Sequence, residues 1–341
     1  MSIEALPARL DDAASRQVLR IALSGALGIA LGTVCGVPLP FIAALIAVNS
    51  AATMRRIPPL GMLLVLVAIV FAVPYAFNLV SGAFLEYPYL LLAFIWLSLF
   101  YGFRLQANPR QRLIGVLVVA FAIIVPIVEH AANEIGPLFV MVLGLNVVSG
   151  LVAVAVAFAA FPERGEPTAA PAPTADGPAS VASPGAHTLS AAISATVMIP
   201  LIAVFLSWDA VTALRVLFVA STVLAAVGSS EAERQSWIAL ASVGIGGLAA
   251  VCVSLVWIVL PSPIVGLLLG CLASLLIGRR AVEGPHALAY TGGIAAMWML
   301  LATSGTDPAA KVFLWSLYAI AGACYAIAGR ALLSSVFGRN P

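Results

Sequence analysis

Charge is scarce in this chain. Asp, Glu, Lys and Arg make up 9% of its 341 residues, against about 25% in a soluble domain. Lys311 is the single lysine. Without a Gly-x4-Gly-Lys phosphate loop the chain is not expected to hydrolyse ATP itself. The three histidines, His130, His187 and His286, are dispersed, which argues against a catalytic zinc. The four cysteines, Cys35, Cys252, Cys271 and Cys324, all fall in apolar runs with neither metal nor disulfide spacing, so they read as small packing residues. No Gly-x-Ser-x-Gly elbow is present, and no run of arginines at every third position suggests a voltage sensor. The net charge of +2 is spread over short loops and gives no reason to expect nucleic acid. The expectation is a chain that is not an enzyme and has no cofactor or metal.

What is present is apolar. Hydrophobic residues reach 62% and the mean hydropathy is +1.11. A soluble core of this size cannot hide that much apolar surface, so lipid must cover it. The amino-terminal stretch "MSIEALPARLDDAASRQ" lacks the basic region and small-residue cleavage site of a signal peptide. The first apolar helix is therefore expected to stay as an anchor.

A membrane span needs roughly 17–25 apolar residues. That rule predicts helices over 17–36, 39–54, 59–81, 87–103, 112–130 and 136–161. A second set follows over 188–207, 210–228, 235–260, 262–279, 285–303 and 309–334. The fold class expected is an all-α polytopic membrane protein of about twelve spans. It divides into a cytoplasmic amino-terminal segment (1–16), a six-helix half (17–161), a flexible cytoplasmic linker (162–187), a second half (188–334) and a cytoplasmic tail (335–341). The linker, "PERGEPTAAPAPTADGPASVASPGAH", is too rich in Pro, Ala, Ser and Gly to form a core. With the amino terminus inside, every Lys and Arg except Arg215 and Lys311 falls in a cytoplasmic segment, as the positive-inside rule requires. Both termini are then cytoplasmic.

Six spans per half make the halves parallel repeats about an axis along the membrane normal. An offset of 172 (48 to 220) lays "VNSAA" on "ASTVL" and puts Asn49–Ser50 on Ser221–Thr222. An offset of 171 lays Pro137 on Pro308, and one of 176 lays Gly102-x-Arg104 on Gly278-x-Arg280. The second span of each half is odd. Residues 39–54 rise only about 24 Å, less than the roughly 30 Å of a bilayer core, and "GVPLP" and "SWDAV" leave tight outer corners. Short spans at matching places in two halves point to a transporter binding site.

Several polar residues lie in or beside spans. Arg215 would be an anion-attracting guanidinium; read structurally it is a snorkelling arginine. Glu129 and His130 end the fifth span and could relay protons, or merely cap it at the interface. Asp209 lies at the start of the eighth span and is the other proton-carrying candidate. Asn49, Ser50, Ser221 and Thr222 are candidate substrate contacts because they repeat. Asn78, Asn146 and Ser149 read as helix–helix glue. Gly28-x3-Gly32 and Gly266-x3-Gly270 have close-packing spacing. The six tryptophans are read mainly as interface anchors.

The first hairpin, "LRIALSGALGIALGTVCGVPLPFIAALIAVNSAA", resembles the start of the fusaric acid resistance-like (FUSC) membrane proteins in its Arg20-containing helix, its Gly36–Pro40 corner and the entry at Phe41. "YPYLLLAFIWLSLFYGFRLQ" and "GLNVVSGLVAVAVAFAAFP" are similar to a smaller twelve-span branch of that group. The resemblance implies a component of the bacterial inner membrane related to aromatic acid exporters. Partners would be the lipid bilayer, a small-molecule substrate, a periplasmic membrane-fusion adaptor and an outer-membrane channel, with a homo-oligomer open. The larger exporters' cytoplasmic domain is replaced here by the linker. The function expected is proton-coupled efflux of small aromatic or anionic compounds. The alternative is a non-transporting membrane scaffold for an envelope or efflux complex.

Overall fold

The structure is a computed structural model that describes residues 13–54, 57, 59–108, 111–131, 136–162, 184–208, 214–225, 229–283, 286–303 and 308–337. Among them it forms twelve α-helices and no strand. The first six are α1 (Ala13–Val34), α2 (Phe41–Thr53), α3 (Leu60–Phe84), α4 (Pro88–Gln106), α5 (Arg112–Ala131) and α6 (Gly136–Ala160). The second six are α7 (Pro184–Trp208), α8 (Leu214–Leu224), α9 (Ser229–Val259), α10 (Pro263–Glu283), α11 (Ala287–Thr303) and α12 (Pro308–Phe337). Each coincides with one predicted span. Residues 163–183 of the expected linker lie outside the described residues.

Eight of these helices are long and apolar enough to cross a bilayer, and α2, the Ile114–His130 part of α5 and α11 are shorter apolar helices. Together they make the chain a multi-pass helical membrane protein in contact with lipid. Its outward side chains are those a hydrocarbon solvent accepts, such as Leu248, Ile264, Leu276 and Phe313, all well exposed. Prolines sit where a helix start leaves a donor unused, as Pro88 does in α4. The 13 residues of α2 and the 11 of α8 rise only about 20 and 16 Å. The second helix of each half is therefore short, as expected.

The α1–α2 corner is tight for a physical reason. Gly36 has φ +64° and Leu39 φ +59°, the left-handed region that glycine enters freely and leucine does not. Asn146 of α6 steadies the corner by donating from Nδ2 to the Pro38 carbonyl at 2.9 Å.

The chain forms two compact units. One comprises 1–69, 141–164 and 238–317; the other comprises 70–140, 165–237 and 318–341. The units do not follow the two halves, because each draws on both. In the first unit α1 packs on α2, α10 and α11, α2 packs on α11, and α10 packs on α11. In the second α4 packs on α5 and α7, α5 packs on α7 and α8, and α7 packs on α8.

Small residues let backbones approach where lipid supplies no hydrophobic drive between helices. A Cβ at Gly28 would lie 2.8 Å from the Ala44 backbone, and one at Gly32 2.8 Å from Pro40. Gly25 and Gly270 make room for the Trp298 indole, whose Nε1 donates to Ser274 Oγ at 3.1 Å. Trp298 is therefore a buried core residue of the first unit rather than an interface anchor.

Candidate functional site

Polar side chains inside a membrane protein must find partners, and most here find the nearest carbonyl of their own helix. Asn49 donates from Nδ2 to Leu45 O at 2.8 Å. Ser221 and Thr222 both donate to Phe218 O, at 2.8 and 2.9 Å. Asn49 and Thr222 are exposed, Ser50 is half-buried and Ser221 is buried. Asn49 and Ser50 belong to the first compact unit, Ser221 and Thr222 to the second. Arg215 is the second residue of α8, with a side chain outside the described part, and Asp209 lies outside the described residues.

One acidic side chain is buried, among the described residues. Glu129, at the end of α5, is 6% exposed. Its partner is not the adjacent His130, which points outward and is exposed. It is Asn78 of α3, 4% exposed, whose Nδ2 donates to Glu129 Oε2. The neighbouring His130 diverges because consecutive helical residues point about 100° apart. Asn78, by contrast, comes from another helix.

The local sequence explains how α3 and α5 reach each other here. Each carries an interior proline, Pro74 in α3 and Pro126 in α5. Asn78 follows its proline by one turn and Glu129 by three residues. An interior proline removes one helical hydrogen bond and bends the helix. Gly82, one turn beyond Asn78, removes a side chain from the same face, and a Cβ there would lie 3.2 Å from Glu129 Oε1. Ser81 completes the turn, fully buried, with no hydrogen-bond partner for its hydroxyl. Aromatic rings close one side: Phe77 and Phe84 of α3 lie 5.3 and 6.4 Å from the Phe94 ring of α4, centroid to centroid. The helices α4, α7 and α8 pack against α5.

The chemistry available is that of a single carboxyl in a dry, amide-lined niche. The two forms of that carboxyl need opposite partners: the ionised form accepts hydrogen bonds only, and the protonated form also donates one. An asparagine presents both a donor and an acceptor, and a serine hydroxyl can do either. Asn78 and Ser81 together therefore suit a carboxyl that changes protonation state. Sequence reasoning names Glu129 but reads Asn78 as packing glue and does not single out Ser81. The signal that could have found them is the Pro74-x3-Asn78-x2-Ser81-Gly82 spacing, which puts a kink, two polar groups and a gap on one helical face.

At the cytoplasmic ends a second set of polar contacts ties helices together. Arg20 donates from Nε to Phe161 O at 2.8 Å and lies over the Phe158 ring, 4.4 Å from its centroid. Gln17 donates to Ala52 O at 3.0 Å. In the second unit Arg330 donates to Ser190 Oγ at 3.2 Å and Tyr325 to Val197 O at 2.6 Å. These are helix–helix ties.

Comparison with known proteins gives one match. A family model described as "Protein of unknown function (DUF2955)" matches residues 17–160, which is the first six-helix half. No curated protein and no solved structure matches the chain.

Proposed function

We propose that this protein is a transporter of the bacterial inner membrane that exports small aromatic or anionic organic compounds in exchange for protons, with both termini cytoplasmic. The observation that supports this reading best is the Glu129–Asn78 pair. A buried carboxyl among apolar helices is costly by several kcal/mol, and it is most easily explained if its protonation is used. An exporter driven by the proton gradient needs such a group, accessible by turns and never left without a hydrogen-bond partner. Asn78 and Ser81 meet that need chemically. The short α2 and α8, at matching places in the two halves, are the pattern transporters use around a substrate site. Arg215, Asn49, Ser50, Ser221 and Thr222 are proposed as its contacts, and Asp209 and His130 as secondary proton carriers. The distribution of arginines supports the orientation. Relationship to the FUSC exporters, and with it a periplasmic adaptor, an outer-membrane channel and a homo-oligomer, is part of the same proposal and rests on the sequence resemblance.

Purified protein in liposomes, loaded with fusaric acid or benzoate and subjected to an imposed pH gradient, tests the proposal. The expected outcome is gradient-driven flux that falls at least tenfold in Glu129→Gln while the variant retains its elution profile and melting temperature. Flux indifferent to the gradient removes the coupling. No flux of any aromatic acid from correctly assembled protein would leave the scaffold reading in its place.

A further inference from the structure

We infer that the two halves are copies of one six-helix module and that they assemble by exchanging helices. Each compact unit joins the first, second and sixth helices of one module to the third, fourth and fifth of the other. The surface that each module presents is thus fitted to a second copy of the same module.

The composition of the units shows the exchange. The first unit takes α1, α2 and most of α6 from the first module, and most of α9 with α10 and α11 from the second. The second unit takes most of α3 with α4 and α5 from the first module, and α7, α8 and most of α12 from the second. These are equivalent sets with the modules interchanged. The packing partners obey the same rule. Advancing each label by six turns α1·α2 into α7·α8, α1·α10 into α7·α4, α2·α11 into α8·α5, and α4·α5 into α10·α11. All four products are packed pairs of the other unit.

Burial sets the register more finely than residue identity does. The buried face of α2, Ala43, Ala44, Ala47, Val48 and Ala51, falls on buried Val216, Leu217, Ala220, Ser221 and Leu224 of α8 at an offset of 173 (43 to 216). A slip of one residue would rotate the face by about 100° and lose the match. Asn49 is therefore equivalent to Thr222, not to Ser221. The two make the same bond, each to the carbonyl four residues back. In α4 and α10, buried Leu91, Ile95, Leu99 and Phe103 fall on buried Gly266, Gly270, Ser274 and Gly278 at an offset of 175 (91 to 266).

Individual contacts repeat as well. A Cβ at Gly150 of α6 would lie 2.8 Å from Ala43 O and 3.1 Å from Ile46 Cβ. One at Gly322 of α12 would lie 2.5 Å from Val216 O and 3.2 Å from Val219 Cβ. The buried hydroxyls of Ser81 and Ser254, 173 residues apart, both lack a hydrogen-bond partner. Arg20 over Phe158 and Ser190 bonded to Arg330 are one contact with the arginine moved to the other side. The family model that matches the first half ends at residue 160, at the close of α6, where a module should end.

The exchange has a chemical consequence. Glu129 corresponds to Leu301 at an offset of 172 and Asn78 to Val251 at 173, so the second module is aliphatic where the first is acidic. The chain carries one such acid–amide pair. It is enclosed on α5 by α7 and α8 of the other module, so a single module would leave it incomplete.

The test uses the full chain with a protease site inserted between 163 and 183, purified and then cut. The expected result is that the two fragments co-elute as one particle of unchanged size until denatured. Cysteine pairs in a cysteine-free background report the exchange directly. Val18→Cys with Gly278→Cys joins modules across a Cβ–Cβ distance of 3.7 Å, within the range a disulfide spans. After oxidation and cutting, that pair should leave one full-length band on a non-reducing gel. Val197→Cys with Gly329→Cys, 3.6 Å apart and both in the second module, should leave two. Fragments that separate on cutting, or a disulfide between positions 18 and 278 that forms only between two chains, would overturn the inference. Co-elution needs no cysteine variant and no transport, so it stands or falls apart from the exporter reading.

Discussion

At the scale of the residue, the informative pair is Asn78 and Glu129. Removing one partner of a buried hydrogen bond leaves the other unsatisfied, whereas replacing both by apolar groups of similar shape is nearly neutral. Asn78→Leu alone should therefore destabilise the protein by about 1–3 kcal/mol, read as a lower melting temperature in detergent. Asn78→Leu with Glu129→Leu should recover most of that loss. The double variant imitates the aliphatic Val251 and Leu301 at the equivalent place. If stability recovers while transport does not, the pair is retained for its chemistry and not for the fold. If the double variant melts lower than either single variant, the pair is structural and the proton role loses its main support.

At the scale of the element, helix contacts depend on what glycine omits. The neighbours of Gly28 are backbone atoms of Ala43 and Ala44, which cannot rotate aside. Gly28→Leu should force α1 from α2 and prevent accumulation of folded protein. Gly244, in the middle of α9, has nothing within 4 Å of its missing Cβ. Gly244→Ala should therefore stabilise by about 0.5–1 kcal/mol through helix propensity alone. Melting curves of the two variants check both directions. The contrast was only half legible in sequence. The Gly28-x3-Gly32 spacing announced close packing, but it could not say that the packed surfaces are Ala44 and Pro40. The two spacings also differ in kind: Gly266 and Gly270 face the rings of Trp257 and Trp298, not another backbone.

At the scale of the whole molecule, orientation follows from charge. If the amino terminus is inside, Lys311 lies at the outer end of α12 and the linker is cytoplasmic. In a cysteine-free background, Lys311→Cys should react with a membrane-impermeant maleimide in intact cells. Ser180→Cys should react only after permeabilisation. The opposite pattern would invert the topology. The division into compact units also operates at this scale. The chain was expected to divide at its linker, yet the units divide within α3, α6, α9 and α12. Linear order and spatial neighbourhood part company because a helix can pack on any helix that returns beside it, and the linker does not limit which one that is.

The sequence by itself determined the class of protein, the place of each helix and the brevity of α2 and α8. Those features follow from hydropathy, proline positions and length, all of which are local. It also pointed to Glu129, because an acid at the edge of an apolar span is conspicuous wherever it sits. Only the tertiary structure decided the partner of that acid. His130 is adjacent in sequence but points elsewhere, and Asn78 meets Glu129 because two proline-bearing helices pack with Gly82 at the contact. Tertiary structure likewise decided which helices share a unit. Helix pairing is set by the fit of small and large side chains across distant segments, and no window of sequence contains both sides of that fit.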